Sequence, residues 1–149
     1  MRMILAAAIV SLATSGPVFA DHSSRHIHIT KTRGCGCCVL WGEIARRNGF
    51  DVTTEDTADY AGSKKKFGVP MKLAACHSAK IGNYVLEGHV PMNAIEKLLS
   101  ERPDIHGISV PGMPGGSPGM GDDPNAKYTV FSFKEDDVSS AKPFLKMGE

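Results

Sequence analysis

Cysteine is confined to two places in this 149-residue chain. Three of the four cysteines lie in Gly34-Cys35-Gly36-Cys37-Cys38, the fourth is Cys76, and none falls between Cys38 and Cys76 or after Cys76. Such a distribution argues against a stapled scaffold, because a disulfide stabilises most when it closes a long loop and Cys35–Cys38 would close almost none. Charge of one sign is lacking as well. Lys and Arg number 17 against 16 Asp and Glu, a balance that leaves no basic footprint for nucleic acid. Long apolar runs are also missing. The longest, Met3 to Thr14, is shorter than the ~20 residues a helix needs to cross a bilayer.

What the first twenty residues do contain is the pattern of a secretory signal. Arg2 supplies a positive start, Met3 to Thr14 an apolar stretch, Ser15-Gly16-Pro17 a break, and Val18-Phe19-Ala20 a small-x-Ala end. Cleavage after Ala20 is expected, which leaves residues 21–149 as one exported domain with no membrane segment. His22 would then be the second residue, where amine, amide and imidazole could chelate Cu(II). An ordinary frayed terminus is the preferred reading.

Along residues 21–149, His26 to Thr32 alternates around Ile27 and Ile29 and predicts a strand. From Cys38, the residues Leu40, Trp41, Ile44 and Ala45 recur at helical spacing, with Asn48-Gly49 as the stop. Phe50 to Thr54 reads as a second strand and Asp56 to Phe67 as a second helix, its Lys64-Lys65-Lys66 run a solvated face. Met71 to Cys76 is expected as a third strand, His77 to Lys80 as a turn, and Ile81 to Leu86 as a fourth strand. Pro91 suits the first position of a third helix, with the stripe Met92, Ile95, Leu98 and Leu99 facing a core until Pro103 ends it. Tyr128 to Phe133 is a further strand; the tail from Lys134 carries no clear signal.

The order β-(CxxC)-α-β-α-β-β-α resembles the thioredoxin arrangement, with the dithiol where the first helix begins. The expected fold class is therefore α/β and thioredoxin-like, a central mixed sheet flanked by helices. Gly68-Val69-Pro70 resembles the loop in which such proteins hold a cis-proline, and a cis Val69–Pro70 bond is expected on that resemblance.

Chemistry concentrates in the cysteines. A thiolate at a helix N-terminus is stabilised by unpaired N–H groups and by the helix dipole. Between Pro111 and Pro124, nine of the fourteen residues are Gly or Pro, so a loop without regular structure is expected. Met113 and Met120 sit inside it. A thioether is a soft ligand suited to Cu(I), but a hydrophobic peg closing the loop on the core is the preferred reading of both. Of the histidines, His77 and His89 are candidates for tuning the sulfurs, although an ordinary turn histidine is preferred for both, more clearly for His89. His28 and His106 read as structural.

Five segments together, G-C-G-C-C-x-x-W, G-V-P, A-C-H-S-A, Y-V-L-E-G-H-V-P and V-P-G-M-P-x-G-S-P-G-M, resemble the CopG-type periplasmic copper-resistance family, a metal-binding domain of unknown function with a thioredoxin-like fold. The resemblance runs from about Ile29 to Met120 and on toward Phe133. It implies a periplasmic protein whose metal-binding and redox residues are Cys35, Cys37, Cys38 and Cys76, with copper as the metal and other periplasmic copper-handling proteins as partners. The family pattern has threonine after the Cys-His pair, where this chain has Ser78; a hydroxyl is kept. The favoured oxidised pairing is Cys35–Cys38 with Cys37–Cys76, a vicinal Cys37–Cys38 bridge being strained.

Three functions follow from these residues. One is Cu(I) binding on the four cysteines, with adjacent Cys37 and Cys38 favouring bridging over chelation of one ion, and with cycling of copper or thiol redox state. A second is thiol–disulfide exchange by Cys35 and Cys38. The third is a structural zinc or disulfide module, which the adjacent Cys37 and Cys38 fit poorly.

Overall fold

A computed structural model describes residues 25–149. The expected signal segment 1–20 and His22 lie outside the described residues. The elements run β1 (His26–Thr32), α1 (Gly36–Arg47), β2 (Asp51–Thr57), α2 (Tyr60–Lys66), a single 3-10 turn at Met71–Leu73, β3 (His77–Ile81), β4 (Tyr84–Glu87), α3 (Met92–Glu101), β5 (Gly107–Ser109), β6 (Tyr128–Lys134) and β7 (Asp137–Met147). The strands form one seven-stranded mixed sheet in the order β2-β1-β3-β4-β5-β6-β7. β1 and β2 are parallel, as are β4 and β5; the other neighbours are antiparallel.

Alternation sets the two faces of the sheet. Ile27, Ile29, Ala79, Ile81 and Leu86 face the main core, where α1 contributes Trp41 and Ala45 and α3 contributes Ala94, Ile95 and Leu98. Val85, next to Leu86, points the other way into a second cluster with Phe67, Val69, Leu73 and Phe133. Helical layers therefore lie on both faces. Trp41 is fully buried and its indole Nε1 donates to the Val90 carbonyl at 2.8 Å, tying α1 to the segment that leads into α3.

The mixed α/β class stands, and several expected elements move. β2 continues to Thr57, and α2 starts only at Tyr60, where the Asp59 carboxylate caps it by accepting from Gly62 N–H at 2.8 Å. Met71–Cys76 is not a strand, and the expected turn at His77–Lys80 belongs to β3. His77, Ser78 and Ala79 are buried opposite β1 there, so the alternation of a half-solvated strand is absent. The turn lies instead at Gly82-Asn83, and β4 starts at Tyr84. Lys64 is not on a solvated face: it is 1% exposed. No cis peptide occurs among the described residues, so Val69–Pro70 is trans. The tail that gave no signal forms β7, an edge strand with mostly exposed side chains and Pro143 within it, a composition that hides strand patterning.

Replacing Trp41 by Phe keeps most of the buried ring but leaves the Val90 carbonyl without its donor. The expected loss is about 1–3 kcal/mol, read as a lower urea midpoint at unchanged slope.

Candidate metal centre

β1 ends at Thr32, and the chain turns through Gly34, whose φ of 78° lies in the left-handed region that glycine adopts without strain. Cys35 is the N-cap of α1 with extended backbone, and no side chain caps the helix. Cys37 and Cys38 occupy its first turn. That turn carries no acidic side chain, so the positive end of the helix is left to the sulfurs. Cys35 and Cys38 are disulfide-bonded, while Cys37 and Cys76 are free thiols, both partly buried. Of the favoured pairing, the first bridge is therefore present and Cys37–Cys76 is not.

The sulfurs of Cys35, Cys37, Cys38 and Cys76 all lie within 4.8 Å of one another. Cys35 Sγ and Cys37 Sγ are 3.6 Å apart. On the other side of Cys76, its Sγ is 2.8 Å from His89 Nε2 and 3.5 Å from His77 Nδ1. His89 keeps the backbone bond expected of a turn histidine and also lies against a sulfur. Its Nδ1 lies 2.6 Å from the Pro118 carbonyl, which can only accept, so Nδ1 carries the proton and Nε2 turns a lone pair toward Cys76. Ligating histidines are commonly held this way, one nitrogen on a carbonyl and the other on the metal. His77 is fully buried, its ring 4.8 Å from the Trp41 ring and 5.4 Å from that of His89, and its Nε2 has no hydrogen-bond partner among the described residues.

Burial governs the protonation of the group. It pushes the Cys76 thiol up to about 12, reinforced by Cys37 and opposed by Lys64. It holds His77 well below the usual imidazole range, with His89 and Lys64 adding to the effect, and it lowers His89 against the pull of the Pro118 carbonyl. At neutral pH Cys76 therefore keeps a proton that a soft metal would displace, and both imidazoles are neutral.

The Gly/Pro-rich loop folds over this centre, as a loop without regular structure. A β-carbon on Gly119 would stand 2.9 Å from the Cys37 carbonyl and 3.2 Å from the Trp41 amide nitrogen, so the loop rests directly on the first turns of α1. Met113 is 52% exposed and lines a cavity of about 350 Å³ with Thr32, Tyr60, Cys76 and Gly112. Met120 is partly buried. The backbone of Pro118 and Gly119 touches the centre, and Met113, half exposed, is not a peg. His28 bonds Thr53 on β2, and His106 Nε2 lies 2.8 Å from the Phe67 carbonyl, both structural as expected.

Two solved structures match along most of the chain. "Copper resistance protein copG- Form 1" is 36% identical, covers 83% of this chain and 98% of its own, and superposes with a TM-score of 0.75. The corresponding Form 2 is 37% identical over 81% and 96%, with a TM-score of 0.73. The chain belongs to the CopG copper-resistance family. Residues 73–120 also match the family described as "Protein of unknown function, DUF411", and no curated protein matches. That 73–120 segment holds Cys76, His77, His89 and the loop as far as Met120, whereas Cys35–Cys38 lie outside it. In this CopG-family chain the cysteines that sequence spacing singled out do converge. The imidazoles of His77 and His89 lie beside Cys76, and the Pro118 carbonyl holds the His89 proton on Nδ1.

Gly119→Ala must place a side chain at φ 88° and against the Cys37 carbonyl. The strain is about 1–3 kcal/mol. The loop is expected to lift, and alkylation of Cys37 by iodoacetamide, followed by mass spectrometry, to become several-fold faster than in the wild type.

Proposed function

We propose that this is an exported, periplasmic copper-handling protein that binds Cu(I) on Cys35, Cys37, Cys38 and Cys76 and couples copper to the redox state of its thiols. The observation that carries the reading is the approach of four sulfurs, from two separate segments, to within 4.8 Å of one another. Thiolates are the soft donors Cu(I) prefers. Cys37 and Cys38, adjacent on one helical turn, suit bridging between ions better than chelation of one. His89, with Nε2 unprotonated, and His77 add borderline nitrogen donors next to Cys76. The names of the two matched structures support copper as the cargo. Residues 1–20 read as the signal that takes the chain to the periplasm, where other copper-handling proteins would be its partners.

A thioredoxin-like reading of the fold supports the redox half of the proposal. The element order β-α-β-α-β-β-α, the strand order β2-β1-β3-β4 and a dithiol at the start of α1 all agree with it. The step balances simply. Two Cu(II) ions each accept one electron, the Cys35 and Cys38 thiols lose two electrons and two protons, and one disulfide forms. Oxidation then removes two sulfur ligands, leaving Cys37, Cys76 and the imidazoles.

The disulfide at the helix start also favours a second reading, exchange with protein disulfides. Against it, the loop rests on Cys37, and the backbone beside Cys76 is already paired through the bridge from Ala75 to Gly112. A small ion reaches such a centre more readily than an extended polypeptide.

The deciding experiment is anaerobic Cu(I) titration of the fully reduced protein, residues 21–149, against a competing Cu(I) chelator. More than one tightly held Cu(I) per chain is expected, fewer in Cys76→Ser and fewer when Cys35–Cys38 is oxidised. Mixing the reduced protein with Cu(II) under the same conditions should yield two Cu(I) per disulfide formed. A wild type that cannot compete with the chelator, yet reduces a protein disulfide without copper, would establish the second reading instead.

A further inference from the structure

Cys76 lies where no helix or strand holds it. The 3-10 turn ends at Leu73, β3 begins at His77, and between them the chain makes one isolated bridge, from Ala75 to Gly112. Side chains hold it instead. Glu87, at the end of β4 and fully buried, accepts from the Ala75 N–H at 2.6 Å with Oε1 and from the Ser78 hydroxyl at 2.6 Å with Oε2. These two bonds bracket Cys76 and His77. Lys64 of α2 donates to Glu87 Oε1 at 2.8 Å and to Ser78 Oγ at 3.0 Å. Tyr60, one turn earlier, donates its hydroxyl to the Ala75 carbonyl at 2.8 Å, and the Lys64 ammonium sits 4.9 Å from its ring centroid. Both backbone polar groups of Ala75 are thus taken, the N–H by buried Glu87 and the carbonyl by the partly exposed Tyr60.

Burying an ammonium and a carboxylate is unfavourable, and an apolar pair of similar volume often serves stability as well or better. What an apolar pair lacks is direction. A carboxylate with one oxygen on the residue before Cys76 and the other on the residue after His77 fixes where the intervening backbone goes. We propose that Tyr60, Lys64 and Glu87 are positioning residues of the metal centre, which act by holding the Cys76 sulfur beside the start of α1. The inference rests on the reading of the four sulfurs as the copper site. It adds three residues from two elements outside the cysteine cluster, none of them a ligand.

The work is done by hydrogen bonds to Ala75 and Ser78, with Lys64 holding the Glu87 side chain in orientation. A neutral pair that keeps an acceptor for the Ala75 N–H should therefore suffice, and one that removes it should not. The test is the chelator-competition titration on reduced protein, run in the wild-type and the Cys76→Ser backgrounds. Lys64→Met with Glu87→Gln is expected to leave Cu(I) affinity within a few-fold of wild type. Lys64→Met with Glu87→Leu should lower it about tenfold or more, the usual effect of losing support behind a ligand. That loss should vanish in the Cys76→Ser background, where there is no sulfur left to position. A merely structural role would weaken binding equally in both backgrounds; that result, or an unchanged affinity, overturns the proposal. Should the Leu variant fail to fold by circular dichroism, Tyr60→Phe, which removes only the bond to the Ala75 carbonyl, decides in the same cycle. A several-fold loss confined to the background with Cys76 supports the proposal, and no loss or an equal loss overturns it. A wild type that binds no Cu(I) would instead overturn the copper reading, and this inference with it.

Discussion

β3 runs antiparallel to β1 with Lys31 opposite His77 and Thr30 opposite Ser78. This register puts Cys76 just past the last pair, alongside the turn where β1 gives way to α1, and so next to Cys35, Cys37 and Cys38. It also decides which way the neighbours of Cys76 face. A slip of one residue would carry every side chain of β3 to the opposite face, moving Ser78 away from Glu87 and Lys64. The rest of the centre hangs on the same pairing. The Gly88 N–H donates to the His77 carbonyl at 2.9 Å, which sets the path of the chain into His89, and the Pro118 carbonyl then fixes the His89 ring.

The electrostatics of the site follow from its depth. Isolated charges are unfavourable in a buried centre, and each ionisable group beside Cys76 answers by staying neutral: the thiol protonated, the imidazoles without their extra protons. The charged groups that are buried, Lys64 and Glu87, are paired with each other. Burial pushes Glu87 above the ordinary carboxylate value, and Lys64, the Ser78 hydroxyl and the Ala75 N–H all pull against it. A monovalent soft cation exchanged for a thiol proton leaves the net charge of such a centre unchanged. A divalent ion making the same exchange adds a positive charge to the same low-dielectric space. That asymmetry, with the soft donor set, supports the proposed preference for the lower oxidation state of copper while the thiols are reduced.

Much of the framework was legible in the residues. The alternation of Ile27 and Ile29, the helical spacing of Trp41 and Ala45 (Leu40, expected with them, is half exposed), and the stripe of Ile95 and Leu98 each lie in elements of the expected type. They do so because each has one buried face and one wetter face, the condition under which periodicity reports structure. The cysteine cluster was legible for a different reason: three thiols in four residues have little structural use. What periodicity could not report was β3, whose His77 and Ser78 are polar yet buried, and the inward turn of Lys64, whose neighbours Lys65 and Lys66 are exposed. β7 escaped because its core contacts, Ala141, Phe144 and Leu145, do not alternate along an otherwise solvated edge strand.

Three of the residues misread from sequence, Lys64, His77 and Ser78, lie around Cys76, and all are polar groups buried where local rules expect a solvated face or a turn. Local preference and global fold normally agree, and a departure from that agreement is tolerated where something other than stability is gained. Here the departures share one geometric result, the fixing of an irregular piece of backbone that ends in a thiol. The three cysteines of the first cluster need no such help, because the turn at Gly34 and the first turn of α1 already hold them. Cys76 has no element of its own. Its place in the centre has to come from polar contacts, which is why Lys64, Glu87 and two imidazoles surround this sulfur and not the others.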